Sequence, residues 1–211
     1  MRLLPAVTFA LLLPAIQPLA AQTPVEVRLP VFAQVVGFPL AFEPVADYQL
    51  QTPEGFFIVE WVPEGESVEH WTQMQTLTGH QGVGERLDAA GAARIGETIA
   101  VNFLDGYRQA CAVEVDALPL PLTGDQGARA SFAAYIGCAH VAGHDHSEEM
   151  VLLVMVGARD SYTLQWAERG PAREALDRAE FSRWRPRLDR LSEARLCTPP
   201  VGEQPPYPSC D

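Results

Sequence analysis

Apolar and polar positions change their period several times along this chain, and each change marks an element. Val45 to Gln51 and Phe56 to Val62 read as two strands, and Thr52-Pro53-Glu54-Gly55 between them is a turn sequence, so a hairpin is predicted. Pro63-Glu64-Gly65-Glu66 closes the second strand. Ser67, whose hydroxyl can accept a free backbone N–H, starts a single helical turn from Val68 to Trp71. Thr72 to Thr78 alternates and suits a third strand. From Gly84 to Gly106 the spacing lengthens: Leu87, Ala90, Ile95, Ile99 and Phe103 fall mostly three or four apart and give a helix with one apolar stripe. Gly91 and Gly96 weaken that helix and leave room for close packing on a sheet. Ala110 to Asp116, Ala128 to Val141, Met150 to Val156 and Ser161 to Ala167 read as strands, the last two joined by the hairpin-length turn Gly157-Ala158-Arg159-Asp160. A closing helix is predicted from about Ala172 to Ala194, burying Leu176, Phe181, Trp184, Leu188 and Leu191.

Strands, helix, strands, helix predicts an α+β fold: an antiparallel sheet packed by two main helices in a layered sandwich. Residues 45–195 form the single domain in this reading. Residues 22–44, apolar but punctuated by Pro24, Pro30, Gly37 and Pro39, form an extended lead-in, and 196–211 a proline-rich tail.

The first 21 residues follow a different pattern. Arg2, the apolar run Leu3 to Leu13, and the small residues Ala20 and Ala21 after Pro18 have the three parts of a secretory signal peptide, with cleavage expected after Ala21. The apolar run is about eleven residues, whereas a membrane-spanning helix needs about 20. No later segment is long enough to cross a bilayer as a helix, so no membrane span is expected after cleavage. The expected location is the bacterial periplasm or the exterior.

Export changes how the four cysteines are read. In an oxidising compartment an even count argues for disulfides, and four cysteines allow three pairings. Cys111–Cys138 and Cys197–Cys210 are favoured, the second closing the proline-rich tail. There is no C-x-x-C motif to support thiol oxidoreductase chemistry.

Charge excludes further classes. A formal net charge of −12 repels phosphate backbones, so no nucleic-acid partner is expected. Every basic side chain is arginine. Schiff-base, phosphate-loop and general-base chemistry at lysine are therefore absent from the repertoire.

The most distinctive stretch is Phe57 to Met74: a strand, a Pro-Glu-Gly-Glu turn, then Trp71 followed by Thr72-Gln73-Met74. It resembles uncharacterised exported bacterial proteins of the wider PsbP-like α/β-sandwich group. The resemblance extends over about residues 45 to 195 and implies a binding or assembly module without shared catalytic residues. Read physically, Trp61 and Trp71 are large apolar groups beside a tight turn. They fill a core edge or, with Glu64 and Glu66, offer a stacking and contact surface for a ligand or peptide.

Candidate chemistry is sparse. His140, His144 and His146 form the one dense cluster of potential metal ligands, with Asp145, Glu148 or Glu149 as an oxygen donor, and imidazoles suit zinc or copper. The same stretch also reads as a hydrated hairpin tip, since Gly143, Asp145 and Ser147 are turn residues. No serine lies in G-x-S-x-G, although Ser67, His80 and Asp88 could meet in space as a triad. Gly79 to Gly84 lacks the lysine of a phosphate loop and the last glycine of a dinucleotide fingerprint. Glu64, Glu66 and Glu69 could pair as acid and base in sugar hydrolysis, but in so acidic a chain they read as a solvated loop. The arginines of the closing segment alternate with Glu174, Asp177, Glu180, Asp189 and Glu193, a pattern of surface ion pairs. No catalytic residue is assigned. The expected function is a non-catalytic binding or assembly module of the cell envelope, acting on an envelope protein or small ligand. The competing expectation is a metal-binding protein or small hydrolase built on the histidine cluster.

Overall fold

The computed structural model describes residues 25–210, apart from the side chains of residues 178–180. The expected signal peptide, Met1 to Ala21, lies outside the described residues.

Ten strands and two α-helices follow one another: β1 (Val25–Val31), β2 (Gln34–Leu40), β3 (Tyr48–Gln51), β4 (Phe56–Trp61), β5 (Gln73–His80), α1 (Ala89–Ala110), β6 (Val115–Leu120), β7 (Ala130–Cys138), β8 (His146–Val156), β9 (Ser161–Pro171), α2 (Arg185–Leu191) and β10 (Arg195–Cys197). Seven strands form one antiparallel sheet in the order β3-β4-β5-β9-β8-β7-β6. The other three form a small sheet, β1-β2-β10.

The central strand β8 explains the layering. Val151, Leu153 and Met155 pack into one apolar cluster with Val36, Phe38, Leu40, Trp184 and Leu188, on the face covered by the small sheet and the C-terminal segment. Met150, Leu152 and Val154 point the other way, into a second cluster with Trp71, Met74, Ala100 and Ile136. Successive side chains alternate between faces, so a strand buried on both sides needs the unbroken apolar run that β8 carries. Helix α1 lies over the second face and turns its small residues Ala92, Gly96 and Ala100 inward.

The expected two-helix sandwich is not what forms. The molecule is mainly β, and α1 is its one long helix among the described residues. The predicted closing helix, Ala172 to Ala194, is reduced to a 3₁₀ turn at Arg178–Trp184 and the seven-residue α2. Pro186 stops a continuous helix from passing through the junction of the two. It lacks an N–H, its ring collides with the preceding turn, and it is tolerated only in the first turn, where α2 places it. Helix α1 also starts five residues later than Gly84, because the Asp88 carboxylate accepts the Gly91 N–H (2.7 Å) and caps it there.

The stretch expected as an extended lead-in is a hairpin. β1 pairs with β2 from Val25↔Leu40 to Val31↔Gln34, and β2 pairs with β10 from the opposite end of the chain. Polar side chains fasten it to the large sheet. Gln75 accepts the Ala41 N–H (2.6 Å), and the Tyr162 hydroxyl donates to the Val31 carbonyl (2.9 Å). Burial holds the Tyr162 pKa well above its ordinary value, so the hydroxyl keeps the proton it donates. Both expected disulfides are present. Cys111–Cys138 ties the end of α1 to β7, and Cys197–Cys210 closes the tail. Among the described residues, no helix is long and apolar enough to cross a membrane.

Candidate functional site

One end of the large sheet gathers most of the polar chemistry. Gln73 at the start of β5 is paired with Glu168 near the end of β9. His146 at the start of β8 is paired with Pro171, and Glu148 with Cys138 at the end of β7. The turn 62–72, the loop 139–145 and the segment after β9 therefore converge here.

Two consecutive glutamates in β8 organise this end. Glu149 is in phase with Val151 and Leu153, so its carboxylate enters the face that forms the main core, and it is 4% exposed. An unpaired charge there would be very costly. Four donors reach it: the Tyr135 hydroxyl (2.6 Å), Arg173 Nη2 (2.5 Å), Arg183 Nη2 (2.7 Å) and Trp184 Nε1 (3.2 Å). Burial first, then the bond to Glu149, pushes the Tyr135 hydroxyl far above its ordinary pKa, so it remains a donor. Gly137 makes room for that hydroxyl, since a Cβ there would stand 2.4 Å from it. Arg183 also donates from Nη1 to Glu168 (2.7 Å), and Arg187 pairs with the same Glu168. Desolvation lowers the Arg187 pKa, opposed by Glu149.

Glu148 points to the other face. It accepts the Tyr107 hydroxyl from α1 (3.0 Å) and Arg169 Nε (3.1 Å). The Arg169 guanidinium lies 3.8 Å from the centre of the Trp71 ring, a cation–π stack. Burial, reinforced by Glu148, keeps Tyr107 well above its ordinary pKa.

Between these elements lies a cleft of about 550 Å³, lined by Glu149, Glu168, Arg169, Gly170, Pro171, Arg173, Ser182 and Arg183. Gly170 allows β9 to pack closely on β8 beside the cleft: a Cβ there would come within 3.2 Å of the Ser147 hydroxyl. The arginines contribute planar forks of N–H donors, already oriented by Glu148, Glu149 and Glu168. Such an arrangement can hold an anionic group at low ordering cost.

The predicted contact residues divide. Trp61 is buried in the main core, edge-on to Phe38 at 5.6 Å between ring centroids, and presents no outer surface. Trp71 belongs to the second cluster, on the opposite face, beneath Arg169. Glu66 folds back to accept the Thr72 N–H and hydroxyl (2.6 and 2.7 Å) and shapes the turn, while Glu64 is exposed at its tip. Trp71, Glu64 and Glu66 thus share the end of the sheet that carries the cleft; Trp61 ends β4 at the same end but is sealed in the core.

The histidines do not assemble as a metal set. His144 and His146 stand 5.1 Å apart between ring centroids, but among the described residues no three His, Cys, Asp or Glu side chains are gathered to hold a metal. The backbone beside His140 is fixed elsewhere, its carbonyl accepting the Ala112 N–H (2.8 Å) next to the Cys111–Cys138 bridge. Of the oxygen donors considered for that set, Asp145, Glu148 and Glu149, the two glutamates are held by arginines. The Ser67, His80, Asp88 combination is not formed either. Ser67 precedes the start of β5, His80 ends that eight-residue strand about 25 Å away, and Asp88 caps α1.

Sequence reasoning overlooked Glu149 as a hub and set Arg183 aside as a surface charge. The signal was present in the phase of β8: a glutamate two residues before Val151 falls on the core-facing side and demands buried partners. A scan against protein-family models and a search of curated proteins both return no match.

Proposed function

We propose that the protein is an exported, non-catalytic binding or assembly module of the bacterial cell envelope. It meets its partner with the end of the large sheet that carries the 62–72 turn and the arginine cleft. The observation that carries this reading is the cleft itself: Arg173 and Arg183 stand at its wall, each held by the buried carboxylate of Glu149. Pre-ordered forks of this kind favour binding, because little side-chain freedom remains to be lost. The two disulfides support export, being bonds of oxidising compartments.

Site-specific photocrosslinking in the producing cells tests the reading. A photoreactive residue at Glu64 and another at Ser182 are expected to trap the same partner. One at Arg159, in the β8–β9 turn at the opposite end of the sheet, is expected to trap none. Absence of adducts from 64 and 182, or equal adducts from all three positions, contradicts it.

A further inference from the structure

We infer that the arginine cleft is a carboxylate-binding site, receiving either a small organic monocarboxylate or the C-terminal carboxylate of a peptide. This rests on the reading of that sheet end as the contact surface and names the chemistry it recognises.

Geometry comes first. Arg183 spans two carboxylates with one fork, Nη2 on Glu149 and Nη1 on Glu168, both at 2.7 Å. These bonds occupy two of the five N–H donors of its guanidinium. They also fix the plane of the fork at the cleft wall, where Arg183 is 38% exposed. A planar, fixed guanidinium matches a carboxylate bidentately. The second argument is charge. Glu149 and Glu168 belong to the lining, so an incoming anion meets two carboxylates as well as the arginines. These carboxylates offset part of the arginines' charge, so the attraction left for an anion is modest and the match in shape to the planar fork carries the recognition. The third is size. About 550 Å³ lies within the range of small-ligand clefts, and Gly170 and Pro171 add apolar lining beside the charged groups.

Isothermal titration of the disulfide-intact protein tests this with four probes: acetyl-Ala-Ala as the free acid, the same dipeptide as its C-terminal amide, propionate, and inorganic phosphate. The free acid is expected to bind with a Kd of about 1 mM or tighter and the amide about tenfold more weakly or not at all. Binding is expected to weaken several-fold as salt rises from about 50 mM to about 500 mM. Propionate binding as tightly as the dipeptide identifies an organic-acid site; selective binding of the dipeptide identifies a peptide terminus; both support the inference. Acid and amide binding equally, no binding of any carboxylate up to about 10 mM, or phosphate binding more tightly than the carboxylates overturns it. Ser182→Tyr places a bulky side chain at the exposed rim of the cleft and is expected to weaken the free acid at least about tenfold. An unchanged affinity in that variant, with its folding verified by circular dichroism, also overturns the inference. Crosslinking from positions 64 and 182 that persists while carboxylates fail to bind leaves the contact surface standing and removes only the ligand chemistry.

Discussion

Glu148 and Glu149 are neighbours in the chain and differ in almost everything else. Because β8 alternates its side chains, one carboxylate faces α1 and the other faces the main core. Glu148 stays partly in water and trims the joint between α1, β9 and the Trp71 turn with two bonds. Glu149 is sealed in, takes four donors, and fixes the segment after β9 against the sheet. The lesson is that burial, not charge, assigns the task. The exposed partner of a pair can be lost cheaply, whereas the buried one anchors whatever its donors belong to, here the wall of the cleft.

The comparison can be broken by mutation. Glu149→Gln should cost most, about 3–5 kcal/mol, because it leaves two arginines without their buried counter-ion. Chemical denaturation measures this, and a cost below about 1 kcal/mol would show that the hub holds nothing. Replacing Cys111 and Cys138 together by serine should cost about 3 kcal/mol on the loop-entropy model, by loosening the end of α1 from β7. Chemical denaturation of the variant beside the wild-type protein, both without reductant so that Cys197–Cys210 stays closed, measures this loss, and a cost below about 1 kcal/mol contradicts it. Glu148→Gln should cost only about 1 kcal/mol, since Arg169 and Tyr107 remain near water or keep a neutral acceptor. Equal losses at 148 and 149 would erase the distinction.

The smallest effect sharpens the comparison through pH. Burial, then the charges of Arg169 and His144, holds the His146 pKa below its usual 6.5, with Glu148 opposing them. The folded protein thus takes up that proton less readily than the unfolded chain. The contribution is complete above pH 6.5 and is lost as the pH falls from there through the lower folded value. His146→Asn should flatten the stability profile slightly on the acid side of 6.5, measured as urea midpoints between about pH 7 and pH 5. A steeper acid-side loss in the variant contradicts the assignment.

Much of the fold was legible where the signal was local. The apolar run from Met150 with the four-residue turn at Gly157 announced the β8–β9 hairpin, and the parity and spacing of the cysteines led to both bridges. The small sheet was not legible, because β2 finds its second partner in β10, more than 150 residues away, and its prolines looked like punctuation. Apolar spacing in the closing segment imitated a continuous helix that Pro186 does not let pass. Glu64, Glu66 and Trp71 lie at the same end of the sheet but do not line the cleft, and Glu149, Glu168, Arg173 and Arg183, which do, meet only after the sheet has formed, so no spacing in the chain records that meeting.

The four tryptophan indoles offer separate reporters for the central claim. Trp184 touches Glu149 and lies 4.9 Å from the Arg183 guanidinium, Trp71 lies under Arg169 on the other face, Trp166 donates to Gln73, and Trp61 is in the core. Following their N–H resonances by NMR while adding acetyl-Ala-Ala should move the Trp184 signal progressively to saturation and leave Trp61 and Trp71 in place. A Trp71 shift without a Trp184 shift, or four unmoved indoles, would contradict a carboxylate site on the Glu149 face.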